Sequence, residues 1–250
     1  MKKEAVLRFG IVALLVAAVE ILCRLHIIPV DVMIAPSQMA TELVKILVSG
    51  EFSADILSTI VNVLISTVLS VALGFVAGLI IYSAPGLRSA LEPLLASYYA
   101  VPTFIFYPVF VCLFGVGSGA IIAIAVLLAI VSMITATLNG LDRIPRVLRK
   151  TGRIYRMSRI KTALMIELPS AAPALFTGIK LSVAYSFIGV IASEFILSGS
   201  GVGYAIAYAY NNFETPRMYA LMLLIILLVT GVNSLLNGID RRLQSQQRQR

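Results

Sequence analysis

Six stretches of this chain are apolar over about the 20 residues that a helix needs to cross a bilayer, and nothing else in the sequence restricts the fold so strongly. They cover residues 5–25, 56–81, 91–114, 120–138, 171–197 and 218–239 of a 250-residue chain. At 59% hydrophobic and 13% charged residues, the sequence lies outside the range of soluble domains, where apolar residues make up roughly 45–50% and charged residues about 25%. The expected fold class is all-α: a polytopic membrane protein with about six transmembrane helices in a single domain, residues 1–250. That leaves no room for a separate catalytic domain.

The windows differ in ways that matter. The first carries Glu20 and Arg24, four residues apart and able to pair on one helix face. It runs into Cys23, Arg24 and His26 rather than the small residues of a cleavage site, so a retained anchor is expected. The connector to the second window holds Pro29 and Pro36 and predicts a short interfacial helix over residues 37–48. Gly74 and Gly78 place two small residues on one face of the second window, a spacing suited to close helix packing. Pro93, Pro102 and Pro108 interrupt the third, where lost backbone donors favour kinks or a break. Non-helical backbone at membrane depth needs cover from protein or a water-filled cavity, so this segment is expected to line the interior. The fourth window carries no charge.

Between the fourth and fifth windows lies the one long polar interruption of the second half, residues 142–169. It holds Arg143, Arg146, Arg149, Lys150, Arg153, Arg156, Arg159 and Lys161 against the acids Asp142 and Glu167. A helix over residues 144–155 would gather Ile144, Val147, Leu148, Ile154 and Tyr155 into one arc and most of the basic residues into the other. The formal charge of +8 sits in such loops and at the termini (Lys2, Lys3, Arg241, Arg242, Arg248, Arg250), not in a nucleic-acid-binding patch. Lys and Arg concentrate on the cytoplasmic side of membrane proteins. Six spans then place both termini, Arg88 and the basic stretch in the cytoplasm.

Ionisable groups inside a span are functional candidates, because a charge at the bilayer centre costs at least about 2.5–3.5 kcal/mol on insertion scales. Lys180 and Glu194 stand out; 14 residues apart, they are about 21 Å distant along a helix and cannot pair directly. Lys180 reads either as a snorkelling or interhelical contact or as a pathway residue, and Glu194 either as a hydrogen-bond partner of the following glycine-rich turn or as a pathway residue. Asn62, Asn139 and Asn233 could bond across helices. Tyr99 and Phe106 beside Pro102, and Tyr204 further on, belong to aromatic clusters that read as interfacial rings or as the lining of a cavity for a planar ligand. Cys23, Cys112 and His26 form no metal-ligand set, and no phosphate-cradling loop or nucleophile–base pair is visible. Any ATP and Mg chemistry would belong to a partner.

Short motifs in a fixed order add a resemblance. They are Ile34-Ala35-Pro36-Ser37; Arg88 with Leu91, Glu92 and Pro93, leading to Ala100-Val101-Pro102; Phe114-Gly115-Val116-Gly117; and Asn139-Gly140-Leu141 with Pro145. Glu167-Leu168-Pro169 follows, with Pro173, Phe176, Thr177 and Gly178, then Ala192-Ser193-Glu194 and Gly201-Val202-Gly203-Tyr204. In this order they resemble the inner-membrane permease subunit of ATP-binding-cassette importers, in the branch that handles nitrate, sulfonates such as taurine, and thiamine-related pyrimidines. The resemblance implies a type I importer permease fold that uses no cofactor of its own. It also implies a cytoplasmic ATPase that binds ATP and Mg, a second permease copy or a paralogous permease, and an extracytoplasmic substrate-binding protein. Residues 142–169 would be the coupling region, with Arg146, Arg149, Lys150, Arg153, Tyr155 and Arg156 meeting the ATPase.

One departure falls on that region. The family reads Glu-Ala-Ala and then a glycine, the glycine about thirteen residues before the proline of the Leu-Pro pair. Counting back from Pro169 puts Lys150-Thr151-Gly152 at the Glu-Ala-Ala positions and Arg156 at the glycine. Two explanations stand: pairing with a second permease that carries the intact motif, or an ATPase with a more acidic cleft. The alternative function is an ATPase-independent secondary carrier or facilitator, which is expected to show inverted repeats with broken helices in both halves; only one window here is broken. A membrane enzyme ranks third, since no polar residues converge.

Overall fold

The computed structural model describes residues 2–248, without the side chains of residues 2–6, 8, 9, 197 and 241–248. Of the residues singled out above, the side chains of Lys2, Lys3, Arg241, Arg242, Arg248 and Arg250 lie outside the described residues. The described chain is helical without strands: α1 (Lys2–Arg24), α2 (Pro36–Ser49), α3 (Ser53–Ser83), α4 (Pro85–Ser97), α5 (Tyr107–Phe114), α6 (Ser118–Asp142), α7 (Arg146–Ile154), α8 (Arg159–Thr162), α9 (Leu168–Leu197), α10 (Val202–Asn211) and α11 (Thr215–Arg248). Four helical stretches are long and apolar enough to cross a membrane: Ser53–Ser83, Ser118–Asp142, Arg159–Ile196 and Thr215–Asp240. A fifth is the pair Pro85–Ala100 and Thr103–Phe114, bent by 96° at its break, if the two count as one span. Pro102 sits at that break between two 3-10 turns, where a missing donor and a fixed φ end one helix before the next begins.

The chain divides into two compact units. One takes residues up to Thr59 and Glu194–Leu228. In it Leu43 and Ile46 of α2, Val202, Ala205 and Ile206 of α10, and Ala220 and Leu221 of α11 form one buried cluster. α2 starts on Pro36, whose fixed φ suits the first helical position, and ends at Gly50, which takes φ +69°. α1 is tied to its start: Glu20 accepts from Arg24 Nε at 2.6 Å and from the Ser37 backbone N–H at 3.0 Å.

The second unit takes Ile60–Ser193 and the chain from Val229 onward. Its centre is α6. Buried residues make up 61% of the apolar window of α6, against 11% for the window at Thr215–Asp240, so α6 is enclosed by protein. Close approach on two sides depends on glycine. A Cβ on Gly78 of α3 would come within 2.7 Å of Thr137 Cβ, and one on Gly189 of α9 within 2.6 Å of Ala125 Cα. A buried hydroxyl pair, Ser132 to Ser182 at 2.9 Å, joins α6 to α9. Tyr107 packs on Ala120 and Ile124 near the start of α6, and Leu91 and Leu95 of α4 pack on the cluster of Ile81, Ile134 and Leu138.

The largest departures from the sequence windows fall at the start of the fifth and the end of the last. Helical structure leading to the fifth span begins at Arg159, well before residue 171, and runs through a π turn at Ala163–Glu167 into α9. The extra residue of the π turn lies where the Pro169 ring would otherwise meet the carbonyl of Met165, so the proline is absorbed rather than ending the helix. The last helix extends past residue 239 to Arg248.

Packing this close predicts a sharp response to added volume. Gly189→Val should destabilise by about 1–3 kcal/mol through overpacking. Gly231→Val, where a Cβ meets nothing within 4 Å, should leave stability unchanged. Melting temperatures of the two purified variants in one detergent check the contrast.

Candidate functional site: the basic stretch and its surroundings

The basic stretch folds as a short helix beside a helical hairpin end. Pro145 precedes the first residue of α7, and the chain leaves the helix at Tyr155. Arg156 has φ +49°, in the left-handed region. Ser158 then caps the next helical segment, accepting from the Lys161 backbone N–H at 3.3 Å. Gly152 is buried, and a Cβ there would lie 3.0 Å from Thr162 Cγ2, so α7 lies directly against the wall formed by α8 and the π turn.

Amphipathicity is present, but it faces the other way from a helix that buries its apolar arc in its own protein. Ile144, just before α7, is buried. Val147 and Ile154 are 72% and 78% exposed, and Tyr155 is exposed as well. The stripe turned inward is Arg149 and Gly152, which with the exposed Arg153 line a cavity of about 580 Å³. Period fixes which residues share an arc and leaves open which arc meets the protein.

Arg149 therefore stands apart from the other sequence-derived coupling candidates. Its Nη2 donates to the Tyr82 hydroxyl at 2.5 Å and to the Leu141 carbonyl at 2.7 Å. Its guanidinium lies 5.7 Å from the centre of the Tyr82 ring, and Glu167 Oε1 is 3.6 Å from its Nε. One side chain thus joins α7 to the ends of α3 and α6 and to the π turn. Beside it, Arg88 grips Asp142 through two hydrogen bonds of 2.9 and 2.7 Å, fixing α4 to the last residue of α6. Arg146, Lys150, Arg153, Tyr155 and Arg156 are exposed.

The pathway candidates fall into both units and are described within each. In the second unit, Tyr99 stacks on Tyr185 with centroids 5.0 Å apart and planes at 20°, next to the break at Pro102, while Phe106 is half-exposed. Lys180 pairs with Asp240 of α11 at 2.5 Å and lies 5.8 Å from the Phe176 ring centre. Sequence reading missed Asp240; the signal was a lone acid at the end of an apolar run, at a depth set only by how far the last helix extends.

In the first unit, Glu194 is fully buried and works with two residues that sequence reading did not select, Asp55 and Thr59. Three consecutive backbone donors open α10 with no local cap. Gly201 N–H donates to Asp55 Oδ1 at 2.7 Å, Val202 N–H to Thr59 Oγ1 at 2.8 Å, and Gly203 N–H to Glu194 Oε2 at 3.1 Å. Thr59 Oγ1 in turn donates to Glu194 Oε2 at 2.7 Å. Acids and a hydroxyl from α3 and α9 so replace the missing cap at the positive end of a helix. Gly201 is required twice over: it takes φ +99°, and a Cβ would fall 2.5 Å from both Glu194 carboxylate oxygens. Tyr204, one residue further, sets its ring 6.2 Å from Tyr208. Among the described residues no group of His, Cys, Asp and Glu could hold a metal ion.

Residues 70–249 match the family described as the binding-protein-dependent transport system inner membrane component. The chain belongs to that family. It is similar to a nitrate import permease protein of Leptolyngbya laminosa, at 27% identity over 76% of this chain and 65% of that one. A riboflavin transport system permease protein of Chloroflexus aurantiacus is 29% identical over 63% of this chain and 58% of its own length. The chain thus spans less than two thirds of either relative. Its fold is that of a chain in the inward-facing MetNI methionine ABC transporter, with a TM-score of 0.67 and 19% identity, covering 77% of this chain and 95% of that one.

Within this inner membrane component, the position that aligns by count with the family's glycine is Arg156, and its backbone has the φ that glycine adopts without strain. The position of the second alanine is Gly152, where no larger side chain fits without displacing Thr162.

Two predictions follow from these contacts. Arg156→Gly should relieve about 1 kcal/mol of left-handed strain, whereas Arg153→Gly, inside α7, should lose about as much. Amide hydrogen exchange over residues 146–157 should slow roughly five-fold in the first and quicken in the second. Thr59→Val should destabilise by about 1–3 kcal/mol, because it leaves the Val202 N–H without its acceptor and removes one of the donors to Glu194. Proteolysis at residues 198–201 and the melting temperature of the variant measure it.

Proposed function

We propose that the chain is the permease subunit of an ATP-binding-cassette importer and forms the translocation pathway for a small organic or anionic solute delivered by an external binding protein. Family membership carries the reading, with the match extending over residues 70–249. The chain catalyses nothing itself; ATP and Mg are bound by a partner ATPase. With residues 5–25 counted as a further span beside the four apolar helices and the bent pair, both termini and α7 fall in the cytoplasm, following the distribution of Arg and Lys. The second permease of the complex is either another copy or a paralogue.

The observation that supports coupling is the outward-facing apolar arc of α7. Val147 and Ile154 are exposed at the end of a helix whose opposite face is anchored through Arg149 to α3, α6 and the π turn. A rigidly held helix with an unburied apolar face suits a surface that receives motion from a cytoplasmic partner and passes it to the spans. The basic residues Arg146, Lys150 and Arg156 at its margins suit an acidic cleft in that partner.

For the pathway itself, the Tyr99–Tyr185 stack beside the Pro102 break is the preferred wall, with Phe106 next to it. The names of the relatives span an inorganic anion and a planar organic compound, and a stacked aromatic wall suits the second class. Lys180 is assigned a structural role, since Asp240 neutralises it.

Uptake into proteoliposomes that contain the chain, its ATPase and its binding protein tests the reading. Solute should accumulate only with ATP. Val147→Asp with Ile154→Asp should lower ATPase association and uptake at least ten-fold, since each buried aliphatic residue contributes about 1.5–3 kcal/mol, while membrane insertion stays normal. Full uptake by that double variant would remove α7 from the coupling route, and uptake without the ATPase would favour a secondary carrier.

A further inference from the structure

The cavity behind α7 is lined by more cationic than anionic side chains. Arg149, Arg153 and Arg159 line it with Glu167 as the acid among its lining residues, so three guanidinium groups face one carboxylate. Arg149 is only partly compensated: its Nε is buried without a hydrogen-bond acceptor, and Glu167 approaches no nearer than 3.6 Å. The side chains of Arg153 and Arg159, both exposed, make no hydrogen bond or ion pair among the described residues. Like charges set around one space repel unless something of opposite sign stands between them. The volume, about 580 Å³, lies in the range of small-ligand sites, roughly 300–1,000 Å³.

The walls are specialised as well as charged. Gly152 lets α7 approach Thr162 to a separation at which a Cβ would crowd Cγ2 at 3.0 Å, which brings Arg149 and Arg153 over the same space as Arg159. The opposite wall is the π turn, whose first and last residues, Ala163 and Glu167, both face the cavity. Single π turns inside helices recur at functional sites, because they reorient side chains that an α-helix would hold elsewhere. Guanidinium forks match the oxygen geometry of phosphate with paired, charge-assisted hydrogen bonds, and several forks around one space suit an anion with three or more acceptor oxygens rather than a halide.

We propose that this cavity binds a phosphate group, supplied either by an anionic lipid headgroup or by soluble phosphate, and that the bound anion draws α7 and the π turn together. The site is distinct from the solute pathway and from the apolar arc of α7, which lies on the opposite face of the helix. It does not depend on which solute is carried.

The test uses the full-length protein in nanodiscs of phosphatidylcholine, titrated with inorganic phosphate at constant ionic strength and followed by calorimetry. Saturable binding at one site per chain is expected. Arg153→Gln with Arg159→Gln should weaken it at least ten-fold, while Arg143→Gln, outside the cavity, should leave it unchanged. Circular dichroism of the double variant, and the charge-conserving pair Arg153→Lys with Arg159→Lys, separate loss of the site from loss of the fold. The paired lysines should bind more weakly than the arginines and more tightly than the glutamines. Repeating the titration with phosphatidic acid in the nanodisc distinguishes the sources: loss of phosphate binding identifies the lipid headgroup, and unchanged binding identifies soluble phosphate. The proposal is overturned by absence of saturable phosphate binding together with no retention of phosphatidic acid over phosphatidylcholine. It is overturned equally by undiminished binding in the folded glutamine variant, or by protection of these arginines from phenylglyoxal only when the ATPase is added, which would assign the cavity to an acidic side chain of that partner.

Discussion

Everything in the second unit rests on how closely α3 and α9 approach α6. In a bilayer the hydrophobic effect gives helices no reason to associate, since lipid chains are as apolar as leucine, and association comes from dispersion contacts and interhelical hydrogen bonds. Dispersion falls steeply with distance, so small residues at the contact matter more than large apolar ones. Gly78 against Thr137 and Gly189 against Ala125 are separations at which a single added carbon has no room. Leucines and valines on the same helices remain exposed, Leu64 at 62% for example. They face the surroundings and contribute little to holding the helices together.

With α6 fixed, the polar groups can be placed at helix ends, where desolvation costs less than at mid-membrane. The pattern is the same in both units, though each is built separately. In the first, the opening donors of α10 are satisfied by Asp55, Thr59 and Glu194 rather than by a local cap. In the second, Arg88 and Asp142 join α4 to the end of α6, and Arg149 gathers Tyr82, the Leu141 carbonyl and Glu167. Lys180 lies deeper, and there an acid from another helix compensates it, as a part-buried cation requires. Charge thus closes the ends of a scaffold whose middle is held by glycine, serine and threonine.

The sequence was informative where a signal is local. Window length located the helices, prolines located the broken segment, and Pro36 located the start of α2 to within one residue. It was silent where two distant residues decide. Thr59 and Val202 are 143 positions apart and Lys180 and Asp240 are 60, and neither pairing leaves a trace in periodicity. The direction of α7 was hidden for a related reason. A 3.6-residue period assigns Val147 and Ile154 to one arc, but which arc faces inward depends on Arg149 finding Tyr82 and the end of α6, contacts made across 67 and 8 positions. The fifth window was read from residue 171, whereas helical structure begins at Arg159 and passes through a π turn just before Pro169.

The missing Glu-Ala-Ala signature has a physical reading once side chain and backbone are separated. The family pattern that this chain resembles has an alanine and a glycine at two positions that here do backbone work: one where α7 meets its neighbour, the other where the chain turns out of it. Gly152 occupies the contact, and Arg156, although not glycine, takes φ +49° at the turn. The acid at the head of the motif is absent, with Lys150 in its place. A helix can keep its position and exit while its charge is inverted only if the position never depended on that charge. In this chain the position is set by Arg149 and its partners on the inner face, and by the Gly152 contact with Thr162, none of which involves residue 150. The outer charge is therefore free to follow whatever it meets, and the inner face carries a cationic cavity behind it.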